Sequence, residues 1–88
     1  MGYPLENISQ LQPIAKQAVV SLYGKTANNI TIQEAEKIPL FEKPKRAWQV
    51  NVFFNNEEYN YIVQFEIKII DGLITKVHVM HRDLIKNR

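Results

Sequence analysis

The chain has 88 residues, a formal net charge of +2 and no cysteine. This length suits one domain, and the lack of cysteine excludes disulfides, thiolate nucleophiles and cysteine-type zinc sites. Charged residues make up 23% of the chain, with both signs spread along it, which is typical of an ordinary solvated surface and favours no nucleic-acid partner. We therefore expect a single domain over residues 1–88.

An amphipathic helix is predicted from about residue 10 to residue 23. Apolar side chains recur there at three- and four-residue spacing, as they do along the buried stripe of a helix. Ser9 and Gln12 fit a capping box, and Gly24 follows the stripe at the place where helices commonly end. The stripe consists of Leu11, Ile14, Ala15, Ala18, Val19, Leu22 and Tyr23.

Four strands are predicted after the helix. The first covers about residues 30–37, and its alternation fails at 34–36, which indicates a bulge or an edge position. The second and third, at about 47–54 and 59–69, alternate apolar with polar residues as half-buried antiparallel strands do. The fourth covers about 73–82. One helix covering the apolar face of a curved four-stranded antiparallel sheet is an α+β fold.

The turn between the last two strands decides which residues share a face. Asp71-Gly72 between two apolar runs predicts a hairpin. A two-residue loop would mix core and charged residues, whereas a three-residue loop with left-handed Gly72 pairs Ile69 with Leu73 and keeps the apolar rows together. Because a one-residue slip exchanges the faces, the pattern favours the three-residue loop. The expected pairs are then Phe65 with Val77, Val63 with Val79, Tyr61 with His81, Gln64 with His78, and Ile62 with Met80.

The second and third strands are expected to form a hairpin around residues 55–58. Phe54 then lies opposite Tyr59, and Val52 lies opposite Tyr61. This pairing puts the apolar rows of both strands on one face, where the helix can cover them.

The sequence contains no catalytic or metal-binding motif. The odd spacing of His78 and His81 puts them on opposite faces of a strand, and three glycines are too few for a phosphate-binding loop. No apolar run reaches the ~18–20 residues of a transmembrane helix, and the N-terminus does not resemble a signal peptide. We expect a cytoplasmic protein with no enzymatic activity, no cofactor and no membrane contact.

Phe53, Ile62 and Met80 are predicted to form an apolar cluster on the open outer face of the sheet, beside His78. Such a cluster marks a contact site for a partner or a second copy, although scattered apolar residues are normal on any surface. The last strand is expected at a sheet edge, where it can pair with a second copy or an extended peptide. The leading hypothesis is a small interaction module that self-associates or binds a protein partner through this face or this strand.

The rim of the core and one basic loop leave two alternatives open. A small-ligand-binding or catalytic cone would have His81 and Tyr61 at its mouth, with a pocket between helix and sheet. Weak nucleic-acid binding would use the basic loop that contains Lys43, Lys45 and Arg46, because clustered positive charge binds phosphates.

Three segments carry a family resemblance: Trp48 to Val52, Tyr61 to Ile67, and Asp71 to Ile74. Together they resemble the strand, strand and turn pattern of PepSY-type domains, which have a cystatin-like two-layer arrangement. They are also similar to the core of the gas vesicle protein O family. The resemblance covers about residues 11–83 and implies an accessory or binding role, with no functional residue carried over.

Overall fold

The structure of the chain, a computed structural model, describes residues 5–85. A 3-10 turn at Ile8–Gln10 precedes helix α1 (Leu11–Tyr23), and four strands follow. The strands are β1 (Asn28–Ile38), β2 (Ala47–Asn55), β3 (Tyr59–Lys68) and β4 (Ile74–Leu84). They form one antiparallel sheet in the order β1-β2-β3-β4. The predicted α+β fold is therefore confirmed.

The helix begins through a 3-10 turn that lies before the predicted start. The side-chain oxygen of Gln10 accepts hydrogen bonds from the backbone N–H groups of Glu6 and Asn7, at 2.7 and 2.8 Å. The predicted capping box of Ser9 and Gln12 is therefore wrong, because the 3-10 turn moves the start of the helical segment two residues toward the N-terminus. The predicted end is confirmed, since Gly24 caps α1 with a φ of 100°.

The core lies between α1 and the middle of the sheet. Four residues of the predicted stripe are buried, namely Leu11, Ala15, Ala18 and Val19. They face alternate residues of the two central strands, which are Trp48, Val50, Val52 and Phe54 of β2 and Val63, Phe65 and Ile67 of β3. The Trp48 indole N–H also donates to the Leu5 carbonyl at 3.1 Å, which fixes the N-terminal segment against the core.

The hairpin between β2 and β3 has a two-residue turn at Glu57 and Glu58. The Asn56 N–H donates to the Tyr59 carbonyl at 3.0 Å, and the Asn56 side chain accepts from the backbone N–H groups of Glu58 and Tyr59. This Asx turn places Phe54 opposite Tyr61. The predicted pairing of Phe54 with Tyr59 is therefore wrong by two residues. A two-residue shift leaves every side chain on its predicted face.

The hairpin between β3 and β4 contains a four-residue loop. The Lys68 N–H donates to the Leu73 carbonyl at 2.8 Å, and the Gly72 N–H donates to the Lys68 carbonyl at 2.9 Å. Gly72 has the predicted left-handed conformation, with a φ of 73°, but the predicted pairing of Ile69 with Leu73 is wrong. Ile67 pairs with Ile74, whereas the next residue of β3, Glu66, pairs with Lys76. Thr75 is therefore an extra residue in β4, and beyond it the strands are in the predicted register.

The middle of β4 keeps the predicted pairing, and its C-terminal end does not. Phe65 lies opposite Val77 and Val63 lies opposite Val79, as predicted. A bulge at Met80 then adds one residue to β4, which moves the following side chains to the opposite faces. The predicted pairs of Tyr61 with His81 and Ile62 with Met80 are therefore wrong. In the structure Tyr61 lies opposite Arg82 and Ile62 lies opposite His81.

Replacing Gly72 tests the left-handed turn. A Cβ atom there would lie 3.5 Å from the Ile14 side chain, an ordinary contact, so Gly72→Ala should lose stability through the backbone alone. We expect urea unfolding to show a loss of about 1–2 kcal/mol for Gly72→Ala. Gly72→Asn should lose clearly less, because asparagine tolerates this conformation. Equal losses in both variants would contradict the assigned turn.

Candidate functional site

The inner face of β4 is the part of the sheet that α1 does not cover. Val77 and Val79 lie opposite the buried Phe65 and Val63, yet each is 44% exposed. At the opposite edge of the sheet, the Gln12 side chain donates to the Ile30 carbonyl at 3.2 Å, which joins α1 to β1. The helix therefore lies toward β1, and the apolar row of β4 stays open to solvent.

The width of a helix explains this gap. An α-helix with its side chains is about 10–12 Å across, whereas neighbouring strands are ~4.8 Å apart. One helix thus covers about two or three strands, and a sheet of four strands leaves one strand outside its cover. The sequence contains this signal, since it predicts one helix and four strands, although the uncovered strand is identified only by the structure.

A groove with a volume of about 520 Å³ separates α1 from β4. Its lining is mainly apolar, and the polar Gln17 and Ser21 belong to the α1 side. None of the described residues that line it carries an ionisable side chain, so the groove offers apolar contact rather than acid–base chemistry. The apolar lining consists of Ile14, Ala18 and Leu22 of α1, and Leu73, Ile74 and Val77 beside and within β4.

Further exposed apolar side chains extend this groove along the edge strand. We call the whole set the β4 surface. It consists of Leu22, Leu73, Val77, Val79, Met80 and Leu84, all of them exposed. Apolar residues that gather along and beside one edge strand are unlike the scattered apolar residues of an ordinary surface. A strand edge also presents backbone N–H and C=O groups to a partner.

The predicted outer-face cluster is brought together only in part. Phe53 and Ile62 are directly opposite each other and half-buried, and His81 lies next to Ile62 in the same row. Met80 occupies the bulge and has no direct partner on β3 among the described residues. His78 lies opposite Gln64 as predicted. Of the predicted cluster, Phe53 and Ile62 are therefore the two residues that lie directly opposite each other on the outer face.

Polar side chains on the rest of the outer face bond to one another. Gln64 donates to Asn51, and Asn51 donates to Glu34, both at 3.1 Å. Glu66 forms an ion pair with Lys76 at 3.8 Å and accepts a hydrogen bond from the Thr75 hydroxyl at 2.9 Å. These contacts occupy part of the polar outer face, so the exposed apolar β4 surface is the better candidate for a contact site.

His81 and Tyr61 do not form the predicted mouth of a cone. The bulge at Met80 puts His81 on the outer face, exposed to solvent. Tyr61 lies on the inner face within an aromatic cluster, where its ring centroid is 4.8 Å from that of Phe54 and 5.3 Å from that of Tyr23. The Arg82 guanidinium lies over the Tyr59 ring, 4.7 Å from its centroid. The two predicted residues therefore lie on opposite faces of the sheet.

The basic loop uses one of its three cations internally. The Lys45 ammonium donates to the carbonyls of Pro39 and Leu40, while Lys43 and Arg46 are exposed. Phe41 is 96% exposed in the same loop. Two exposed cations are a small electrostatic footprint for phosphate binding, which strengthens with each additional phosphate contact.

Within residues 5–85, no group of three or more His, Cys, Asp or Glu side chains could hold a metal ion. The described helices include none that is long and apolar enough to cross a membrane. No protein-family model, curated protein or solved structure matches the chain. The resemblances to PepSY-type domains and to the gas vesicle protein O family therefore stay predictions.

The aromatic cluster makes one pH-dependent prediction. Burial raises the pKa of the Tyr23 hydroxyl above its ordinary value of 10.0, and the neighbouring Tyr61 adds to the rise. Because the folded pKa is the higher one, the stabilisation is complete below about pH 10 and is lost as the pH rises through the folded pKa. Denaturant unfolding from about pH 9 upward should show a steeper loss of stability for the wild type than for Tyr23→Phe. Parallel losses would contradict this assignment.

Proposed function

We propose that this chain is a small non-enzymatic interaction module that uses the β4 surface to self-associate or to bind a protein partner. The observation that carries the proposal is the exposure of Val77 and Val79, which lie directly opposite core residues of β3. Their positions belong to the inner row of the sheet, so the sequence supplies core-type side chains at a place that residues 5–85 leave open. A partner that covers them would complete the core.

Two features of β4 support a protein as the occupant. The strand is an edge of the sheet, so an extended segment can add to it through backbone hydrogen bonds. The adjoining groove can receive apolar side chains from the same segment, because Leu22 and Leu73 line it on either side. Backbone pairing and an apolar pocket together are the combination by which strand addition gains affinity and specificity.

A small apolar ligand is the second candidate, because of the groove itself. Its volume of about 520 Å³ lies within the ~300–1,000 Å³ range of small-molecule sites. Ser21→Phe would fill the groove from the exposed face of α1 and leave the edge of β4 free. A ligand-binding role therefore requires that Ser21→Phe abolish thermal stabilisation by apolar small molecules, whereas a segment that also pairs with the backbone of β4 should keep part of its affinity in this variant.

The main test places a charge within the β4 surface. Val77→Asp should remove binding of a second copy or a partner, because a carboxylate would have to be desolvated in an apolar contact. Thr31→Asp is a matched control, since it puts the same side chain at an exposed position on the opposite edge strand. The measurements are sedimentation of the purified protein and quantitative pull-down from the native host with tagged chains.

The wild type and Thr31→Asp should associate equally, and Val77→Asp should lose at least about tenfold in affinity. Circular dichroism and urea unfolding establish that both variants are folded. The proposal is wrong if the wild type stays monomeric and captures no protein at a stoichiometric level, or if both variants bind as the wild type does.

A further inference from the structure

We propose that β4 pairs antiparallel with β4 of a second copy, which joins two sheets into one continuous eight-stranded sheet around a two-fold axis. This inference rests on the proposed function of the β4 surface and names its occupant. The basis is the charge pattern that the Met80 bulge creates on this strand. Pairing across a two-fold axis requires the strand to be complementary to itself, with each contact made twice.

The bulge puts Lys76 and Asp83 on the same face of the sheet. They are seven residues apart, so on a regular strand they would point to opposite faces. The extra residue at Met80 reverses the alternation. Lys76 then lies opposite Glu66 and Asp83 lies opposite Asn60, and both belong to the outer face. The irregular strand therefore carries a cation and an anion on one face, one on each side of its bulge.

On β4, Lys76 is the permanently charged cation that lies on the same face as Asp83. Arg82 belongs to the inner face, opposite Tyr61, and Lys76 to the outer face. Within residues 5–85, no ion pair of Asp83 occurs. Several registers of self-pairing keep matching faces together, but only one puts Asp83 opposite Lys76 of the second copy. Opposite charges directly across a strand pair stabilise it, and like charges destabilise it.

The same register also places the apolar residues near the two-fold axis. Val79 lies opposite Met80 of the second copy, and Val77 lies opposite Arg82, whose aliphatic stem can cover an apolar neighbour. His78 and His81 face each other on the outer side. Each contact occurs twice, so two Lys76–Asp83 pairs flank an apolar centre. Bulges usually block regular pairing at an edge, whereas here the bulge makes the strand complementary to itself.

The opposite edge of the sheet is unsuited to the same two-fold arrangement. β1 carries Glu34 and Glu36 on its outer face after its own bulge at Gln33, so antiparallel self-pairing of this segment would bring carboxylates together. A contact between β1 of one copy and β4 of the next is heterologous and would extend into open chains. A closed dimer therefore distinguishes self-pairing of β4 from this arrangement.

Disulfide trapping tests the register directly, because the chain has no cysteine. Residues that face each other in an antiparallel pair have Cα atoms about 4.5–5.5 Å apart, which suits a disulfide. Within one chain, positions 76 and 83 are about 23 Å apart along the strand, so any bond between them joins two copies. The double variant Lys76→Cys/Asp83→Cys should therefore form a covalent dimer under mild oxidation within minutes.

Single-cysteine variants are the matched controls. Lys76→Cys and Asp83→Cys alone should stay largely uncrosslinked, because in the dimer each position lies far from the same position of the second copy. His78→Cys tests the competing register that sets His78 opposite His78. If His78→Cys crosslinks rapidly and the double variant Lys76→Cys/Asp83→Cys crosslinks slowly, the proposed pairing is overturned.

Charge exchange tests the ion pairs without a covalent bond. Lys76→Asp should weaken the dimer about tenfold in sedimentation equilibrium, and Lys76→Asp/Asp83→Lys should restore it. Lys76→Asp/Glu57→Lys has the same net charge but places the new cation in the β2–β3 turn, so it should stay weak. Equal affinity of the two double variants would overturn the proposal.

The outcomes separate this inference from the proposed function. A wild type that is monomeric up to about 1 mM and gives no crosslink overturns the second copy as the occupant. The β4 surface would still be the contact site if a host protein binds the wild type and not Val77→Asp. Open-ended polymers in sedimentation would also overturn the two-fold dimer, because they require the heterologous contact.

Discussion

One helix is too narrow to cover a sheet of four strands, and the rest of the molecule follows from this constraint. Helix α1 lies over the centre of the sheet and toward β1, where Gln12 bonds to Ile30, and the buried residues of β2 and β3 form the core beneath it. Val77 and Val79 are then left exposed although they belong to the inner row. An 88-residue chain has little core to spare, so an uncovered apolar row is a cost that an occupant would offset.

Irregularities in both edge strands determine what each edge presents. The bulge at Gln33 in β1 leaves Glu34 and Glu36 on the outer face, which suits an edge that stays in water. The bulge at Met80 in β4 has the opposite consequence, because it brings Lys76 and Asp83 onto one face. The polar bonds that join Gln64, Asn51 and Glu34 across the outer face direct any apolar partner to the inner side and to the edge of β4.

The sequence predicted the elements, the faces of the central strands and the left-handed Gly72, because periodicity and turn chemistry are local signals. It also predicted the pairs Phe65 with Val77 and Val63 with Val79. It missed the bulge at Met80, since an extra residue in an apolar-rich strand changes no composition or turn signal, and this omission put His81 on the wrong face. The β2–β3 register was wrong by two residues because several polar positions at 55–58 could close the turn, and only the side-chain bonds of Asn56 decide between them.

The most direct test of the β4 surface is amide hydrogen exchange of the wild-type protein at increasing concentration, followed residue by residue. A strand that acquires a partner protects its edge amides, whereas the amides of an unpaired edge exchange through local opening. If β4 acquires a partner, the amides of residues 76–83 that point to the open edge should become protected as the concentration rises, while those of β1 do not change. Exchange in β4 that is independent of both concentration and an added host extract would show that this strand has no partner.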